Sequence, residues 1–234
     1  MNNFLSPSEI ADFAVNVGVK KANMSIINQF LLGILAGAEL FTGNCLMIIA
    51  LVERKITLSK LLRSWLVVYL GNLAGGVLVA YLISLSGQLN YTGGLLGGFT
   101  LKAAAGKVSL SFMNAFVLGI LCNWLVCLAV WMSFGAKDGI SKAVVIFFPI
   151  WLFVASGFEH SISNMYYISA GILAKFDSLY VNKAIELGTS QSVIDALNWR
   201  AMFTKNLLPV TLGNIIGGAG LVGLVYWFVY LRKN

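Results

Sequence analysis

The chain has 234 residues, of which 59% are hydrophobic and only 11% are charged, and its mean hydropathy is +0.84. Soluble domains usually have about a quarter of their residues charged, so this composition excludes an ordinary soluble protein and indicates an integral membrane protein. The net charge of +7 does not indicate nucleic-acid binding, because Lys and Arg concentrate in the short connections between apolar stretches.

The first predicted element, residues 1–22, is a short amphipathic helix. Ser6 is followed by Pro7 and by Glu9, which is the pattern of a capping box at a helix start. Beyond it lie five apolar stretches that are candidates to cross the bilayer as helices: residues 25–52, 61–85, 110–134, 143–174 and 205–231. The sequence therefore predicts an all-α integral membrane protein with about five spans.

The distribution of positive charge predicts the orientation. Eight of the 16 Lys and Arg residues lie in the short connections and the C-terminal tail, at Arg54, Lys55, Lys60, Arg63, Lys137, Lys142, Arg232 and Lys233. By the positive-inside rule these segments, including the C-terminus, are expected to be cytoplasmic. The long loops 86–110 and 175–205 then face outside, and the chain is a multi-pass protein of the cell membrane.

The course of residues 25–52 is open between two alternatives. As a helix, 28 residues measure about 42 Å, which is enough to cross once and too short to cross twice. A single broken span puts the N-terminus outside and is slightly favoured. A re-entrant dip keeps Lys20 and Lys21 inside, where positive charge prefers to be.

The chain repeats itself, which indicates two duplicated halves, 23–85 and 110–231. Three pairs of segments match in the same order: FLLGIL (30–35) with FVLGIL (116–121), GAELFTGN (37–44) with GFEHSISN (157–164), and LGNLAGG (70–76) with LGNIIGG (212–218). The third segments run in opposite directions across the membrane, as in the inverted repeats of many transporters. The second pair predicts two broken helices, at 39–44 and 156–164, where irregular backbone lines a pathway.

The first half is shorter than the second. Phe116 lies 43 residues before Glu159, but Phe30 lies only 9 residues before Glu39, so about 34 residues are missing. This length corresponds to the rest of one helix, a turn and most of the next helix. Either the protein lacks part of its first helical hairpin or the sequence as given omits it.

Several of these segments resemble the formate/nitrite transporter family, and the match extends over nearly the whole chain. The resemblance rests on GAELFTGNCL, MNAFVLGILCNWLVCLAVWMSFGAKD, FPIWLFVASGFEHSISNMYYI, LGNIIGG and the N-terminal SPSEIADFAVNVGVKKA. It implies an aquaporin-like fold, a homopentamer, and transport of small monovalent anions such as formate, nitrite or hydrosulfide. Family members have six spans, so the shortened first half is a departure.

The resemblance also implies a site. His160 corresponds to the family's central histidine, Thr42 to its loop threonine, and Asn214 to the asparagine that completes their hydrogen-bond cluster. Phe153 is expected in the outer hydrophobic constriction and Leu40 in the inner one. The supporting polar residues are Lys107 on the outer side, Glu159 beside the histidine, and Asn123 and Asn164 nearby.

The chemistry of these residues fits an anion pathway. Lys107 is expected to concentrate anions, and the Thr42 hydroxyl and the backbone N–H groups from Phe41 to Asn44 to contact them. A proton from water or relayed through His160 would let the solute pass as its neutral acid. Glu159 is expected to pair with Lys107 and to accept hydrogen bonds from neighbouring asparagines, and Glu39 to support the first break in the same way.

Two other functions remain open. The shortened first half suggests a subunit that still assembles but transports poorly or not at all. A membrane enzyme with Glu159 and His160 as an acid–base pair is the weaker alternative, because no nucleophile lies beside them. The three cysteines lie in apolar stretches without CxxC spacing, and no second His or acidic ligand lies at helical spacing from His160, so we expect neither a metal site nor a cofactor. The partners that the resemblance implies are small monovalent anions and protons, with the lipid bilayer around the chain.

Overall fold

The computed structural model describes residues 4–38 and 43–232, and these residues are almost entirely helical. The helices are α1 Pro7–Ala22, α2 Ile26–Ala38, α3 Met47–Val52, α4 Leu58–Leu85, α5 Leu95–Ser109, α6 Phe112–Gly135, α7 Gly139–Ala155, α8 Ser161–Ala174, α9 Ser178–Glu186, α10 Gln191–Ala196 and α11 Trp199–Tyr230. Helix α11 contains two segments with wider π turns, Met202–Leu207 and Ile216–Leu224. The predicted all-α fold is confirmed.

All five predicted apolar stretches contain apolar helices. Helices α4, α6 and α11 are long and apolar enough to cross a membrane, and α2 and α7 are shorter apolar helices. The stretch 143–174 forms two helices, α7 and α8, with a break between them at residues 156–160. The break begins near its predicted start and ends earlier than predicted, because Ser161 already opens α8.

Helix α1 lies across one end of the bundle. Its capping box is formed as predicted, with the Ser6 backbone N–H donating to Glu9 Oε2 at 2.7 Å. The Leu5 N–H donates to the carbonyl oxygen of Gly135, at the end of α6. Arg63 Nη2, in the first turns of α4, donates to the carbonyl oxygen of Ala22 at 2.7 Å. We call this end, with the start of α4 and the ends of α1, α6 and α11, the basic end.

Residues 25–52 enter and leave the bundle at the basic end. Helix α2 runs parallel to α4, with Phe30 beside Gly71 and Ile34 beside Gly75. Helix α3 ends at Val52, and the Glu53 carboxylate after it accepts a hydrogen bond from Trp227 near the end of α11. The two described ends of the stretch therefore lie at the same end of the bundle, which contradicts the single crossing that the sequence slightly favours and agrees with the re-entrant alternative.

The duplicated segments pack in equivalent ways. Glycines of α4 and α11 lie so close to backbone oxygens of the neighbouring helix that an added Cβ would collide with them. Between α2 and α4, Gly71 faces the carbonyl oxygen of Phe30 and Gly75 faces that of Ile34. Between α6 and α11, Gly213 faces the carbonyl oxygen of Phe116 and Gly217 faces that of Ile120. Each pair occupies matching positions of the two repeats, so the same small-residue contact joins the helices of both halves.

The two long connections are more ordered than predicted. Residues 86–110 contain helix α5, and residues 175–205 contain α9, α10 and the start of α11. They pack on each other at the end opposite the basic end, where the Tyr180 hydroxyl donates to Asn90 Oδ1 at 2.8 Å. Helix α5 also packs against α8, which brings Lys107 in its last turn toward the break.

Candidate functional site

The break between α7 and α8 places two ionisable side chains inside the bundle. Gly157 has a φ of +68°, a left-handed conformation that glycine adopts without a steric penalty. The chain then continues through Glu159 and His160, each only 4% exposed. His160 is the N-cap of α8, and its Nδ1 accepts a hydrogen bond from the Ser163 backbone N–H at 3.4 Å.

Asn214 of α11 fixes the backbone on both sides of His160. Its Nδ2 donates to the carbonyl oxygens of Gly119 at 2.8 Å and Glu159 at 3.0 Å, and its Oδ1 accepts from the Ser161 N–H at 2.9 Å. The family resemblance implies that Asn214 completes a hydrogen-bond cluster with His160 and Thr42, and Thr42 lies outside the described residues. Within the described residues the His160 ring lies beside Ser163, whose hydroxyl is 3.2 Å from Nδ1.

Glu159 is neutralised by a polar cluster on the outer side of the break. Lys107 Nζ lies 2.7 Å from Glu159 Oε1, so the expected ion pair is present. Glu159 Oε2 accepts from Asn164 Nδ2 at 2.6 Å and from Asn206 Nδ2 at 3.0 Å. Asn206 also donates to the carbonyl oxygen of Lys107 at 3.0 Å, which closes the cluster. We call these four residues the Glu159 cluster.

Asn206 belongs to this cluster although the sequence did not predict it, and Asn123, which was expected nearby, has other hydrogen-bond partners. Asn206 lies in the first π segment of α11, in a stretch without a repeat or a motif to single it out. Asn123 makes no hydrogen bond to the Glu159 side chain among the described residues. Its Nδ2 donates to the carbonyl oxygen of Asn214 at 2.7 Å and to the sulfur of Cys45 at 3.2 Å, because α6 faces α11 at this point.

His160 borders a cavity of about 100 Å³ in the interior of the bundle, which we call the central cavity. Residues of helices α4, α6, α8 and α11 and of the 3₁₀ turn Gly43–Leu46 line it. The lining side chains are mostly amides, hydroxyls, aromatic rings and aliphatic groups: Asn44, Cys45, Trp65, Val68, Tyr69, Asn72, Asn123, His160, Ser161, Ile162, Thr211, Asn214 and Ile215. Among these described residues none is Asp, Glu, Lys or Arg.

A second cavity of about 130 Å³ lies toward the basic end, and we call it the basic-end cavity. Asn44 and Val68 line both cavities, so the two are neighbours. Lys21 lines the basic-end cavity, and its Nζ donates to Asn44 Oδ1 at 2.9 Å. The Trp65 ring N–H donates to the Asn44 carbonyl oxygen at 3.0 Å, which fixes the start of the returning segment.

The remaining expected site residues divide into two groups. Phe153 is 5% exposed, and its ring centroid lies 6.0 Å from that of His160, on the α7 side of the break. Glu39, Leu40, Phe41 and Thr42 lie outside the described residues, so their expected roles remain predictions.

Comparisons with known proteins agree with this architecture. The family model described as "Formate/nitrite transporter" matches residues 34–228. The formate channel FocA of Escherichia coli (strain K12) is 43% identical over 204 residues, covering 87% of this chain and 71% of FocA. The uncharacterized transporter YrhG of Bacillus subtilis (strain 168) is 40% identical over 276 positions, covering 99% of this chain and 96% of YrhG. That match is longer than the present chain of 234 residues, so it includes positions without a counterpart here.

A solved structure titled "Pentameric formate channel with formate bound" is similar over most of both chains. It superimposes with a TM-score of 0.70 and 30% sequence identity, covering 97% of this chain and 98% of the other. A second structure, titled "FNT family ion channel", gives a TM-score of 0.64 with 27% identity. The similarity to the first structure therefore extends over nearly the whole length of both chains.

Proposed function

The chain belongs to the formate/nitrite transporter family, and we propose that it conducts small monovalent anions such as formate, nitrite or hydrosulfide across the cell membrane. The observation that carries this proposal is the central cavity, which holds His160 in the middle of a bundle of apolar helices. Ionisable groups at this depth are costly and are functional by default. The formate-binding pentameric structure supports the same substrate class and a homopentameric assembly.

His160 would act on the solute through its ring nitrogen Nε2. Because Nδ1 accepts a hydrogen bond from the Ser163 N–H, a neutral imidazole carries its hydrogen on Nε2, at the opposite edge of the ring. That N–H would donate to an anion in the central cavity. If the proton moves to the anion, the Ser163 hydroxyl, 3.2 Å from Nδ1, can pass a proton to the ring only while it takes one from another donor, for which water is the candidate.

The Glu159 cluster would shape the outer approach without attracting anions as strongly as a free lysine. The formal charges of Lys107 and Glu159 cancel at their separation of 2.7 Å. The Lys107 side chain nevertheless remains 20% exposed. The carboxylate is turned away from the solute into amide hydrogen bonds, which keep a repulsive charge out of the pathway.

The same contacts disfavour an enzyme built on Glu159 and His160. Both carboxylate oxygens of Glu159 are already bonded, to Lys107, Asn164 and Asn206, and neither is hydrogen-bonded to the imidazole in the described part of the chain. A carboxylate held in this way is suited to a structural charge balance and not to proton abstraction from a substrate.

Flux into proteoliposomes tests the proposal. Purified protein is reconstituted, and the uptake of formate, nitrite and hydrosulfide is measured at several pH values. We expect uptake without chemical change of the solute, with Asn in place of His160 altering both the rate and the pH dependence. Protein-free liposomes give the background, and uptake no faster than this background for all three solutes would reject the proposal.

A second candidate is a subunit that assembles but transports poorly. The shortened first half favours it, since about 34 residues that would flank the first break are missing relative to the second half, with Phe30 only 9 residues before Glu39 and Phe116 43 residues before Glu159. Native mass spectrometry and the flux assay together separate the candidates. A stable pentamer without flux supports the impaired subunit, and a pentamer with flux supports the channel.

A further inference from the structure

Tyr69 and Thr211 hold two hydroxyl groups against each other inside the bundle, and we call them the hydroxyl pair. Tyr69 Oη and Thr211 Oγ1 lie 2.9 Å apart, so one hydroxyl donates a hydrogen bond to the other. Tyr69 belongs to α4 and Thr211 to α11, and both line the central cavity together with His160. Both residues remain partly exposed. The hydroxyl pair therefore borders space that a small solute can enter.

The repeat indicates the depth of this contact. Tyr69 and Thr211 directly precede the duplicated segments LGNLAGG and LGNIIGG, so they occupy equivalent positions of the two halves. When two equivalent residues touch each other, their contact lies close to the axis that relates the repeats. In inverted repeats this axis runs in the plane of the membrane, and substrate sites lie near the midplane at the repeat interface. The hydroxyl pair is therefore placed where such folds bind their substrates.

A count of hydroxyl hydrogens leaves one donor over. Each hydroxyl carries one hydrogen, so the pair has two hydrogens and uses only one of them in its internal bond. A threonine in a helix can instead donate to the carbonyl oxygen four residues earlier, as Thr204 does to Arg200 at 2.9 Å. In the described part of the chain, neither hydroxyl of the pair has a partner other than its neighbour. Whichever residue donates within the pair, the other still has an O–H to offer.

The chemistry of a hydroxyl donor selects the class of solute. A carboxylate or nitrite oxygen is a strong acceptor, and a hydrogen bond to an ionised oxygen is roughly twice as strong as one between neutral groups. The larger sulfur atom of hydrosulfide accepts weaker hydrogen bonds. The described lining residues of the central cavity include no Lys or Arg. Neutral donors must therefore replace the water that an anion loses when it enters.

We propose that the hydroxyl pair is a hydrogen-bond donor site for small oxyanions in the central cavity and favours them over hydrosulfide. This inference rests on the proposed function, and it adds two residues that determine specificity. Either oxygen of the pair can be the donor in the internal bond. Reversing that bond moves the available O–H from one helix to the other, so a passing solute keeps a donor as it moves between them.

Removing the hydroxyls singly and together tests the proposal. Tyr69→Phe and Thr211→Val each leave one O–H, so either single variant should lower formate flux into proteoliposomes only about twofold. The double variant has neither hydroxyl and should lower formate flux about tenfold, the loss expected for one hydrogen bond to a charged group. Hydrosulfide flux through the same preparations should fall no more than about twofold, which also shows that the double variant is folded and inserted.

Two further double variants serve as controls. Tyr69→Phe combined with Thr211→Ser restores one hydroxyl, and its formate flux should return to that of Tyr69→Phe alone. Tyr81→Phe combined with Thr204→Val makes the same chemical changes on the same two helices, at exposed positions outside the central cavity. This second control should change neither the formate flux nor the hydrosulfide flux.

The contrary outcomes are distinct. If each single variant loses as much formate flux as the double variant, the bond between the hydroxyls only holds α4 and α11 together, and the inference is overturned. A double variant with unchanged formate flux, or with both fluxes reduced alike, overturns it as well.

Binding separates this inference from the proposed function. If the wild-type protein conducts none of the solutes, the proposed function fails, and isothermal titration calorimetry with formate tests the hydroxyl pair on the purified protein. The Kd for formate should then be about tenfold higher in the double variant than in wild type. Equal Kd values, or no formate binding by the wild type, would overturn the inference.

Discussion

Replacing Lys107 by methionine is expected to destabilise the folded protein by about 3 kcal/mol. Removing one partner of a buried ion pair costs about 3–5 kcal/mol, because the other charge is left uncompensated. Glu159 would be that charge, with only 5% of its side chain exposed. The estimate takes the lower limit because Lys107 is 20% exposed and because Asn164 and Asn206 still donate to the carboxylate. The folding equilibrium should shift about 100-fold.

A matched control lies in the same chain. Lys183 pairs with Glu186 at the same distance, 2.7 Å, but those side chains are 28% and 60% exposed. Lys183→Met should therefore cost less than about 1 kcal/mol. The double variant Lys107→Met with Glu159→Gln should recover at least half of the loss, since an uncharged glutamine oxygen still accepts the two amide hydrogen bonds.

The assay is reversible unfolding in mixed detergent micelles, followed by tryptophan fluorescence. The apparent free energies of unfolding of wild type, both single lysine variants and the double variant form the comparison. If Lys107→Met and Lys183→Met lowered the free energy of unfolding equally, burial of the Glu159 cluster would not add to the cost of losing the lysine. A double variant no more stable than Lys107→Met would show that the uncompensated carboxylate is not the cause.

Three further predictions follow from the packing, the topology and the break. Gly75→Ala should cost about 1–3 kcal/mol, measured by the same unfolding assay, because the new methyl group collides with the Ile34 carbonyl, whereas Gly106→Ala meets open space and should cost nothing. Cysteines at Ser8 and at Thr92 should be labelled by an impermeant thiol reagent from opposite sides of the membrane, and labelling from the same side would contradict the re-entrant course. Ser163→Ala should keep the cap from the backbone N–H and shift the pH dependence of formate flux, and an unchanged pH profile would exclude the hydroxyl from the relay.

The features that the sequence predicted correctly are those with a local or a repeated signal. The apolar stretches predict helices α4, α6 and α11, and the capping box at Ser6 predicts the start of α1. The ion pair between Lys107 and Glu159 could be anticipated because a charge buried in a membrane bundle needs a partner, and the family resemblance supplied the candidate.

The sequence failed to predict the features that depend on contacts between segments distant in the chain. Asn206 joins the Glu159 cluster because α5, α8 and α11 converge there, and no property of its neighbours in the sequence indicates this. The course of residues 25–52 depends on contacts from Lys21 to Asn44 and from Arg63 to Ala22, which tie distant segments to the basic end. A hydropathy profile records the length of a segment and not the end at which it leaves the membrane.

The duplication places two asparagines, Asn72 and Asn214, at one repeat position. An ancestral pair would have faced the same demand, namely to hold the backbone of a broken helix, as Asn214 does between Glu159 and Ser161. In the shortened first half Asn72 retains its depth, its burial and its place beside tightly packed glycines, yet its oxygen has no partner in the described part of the chain.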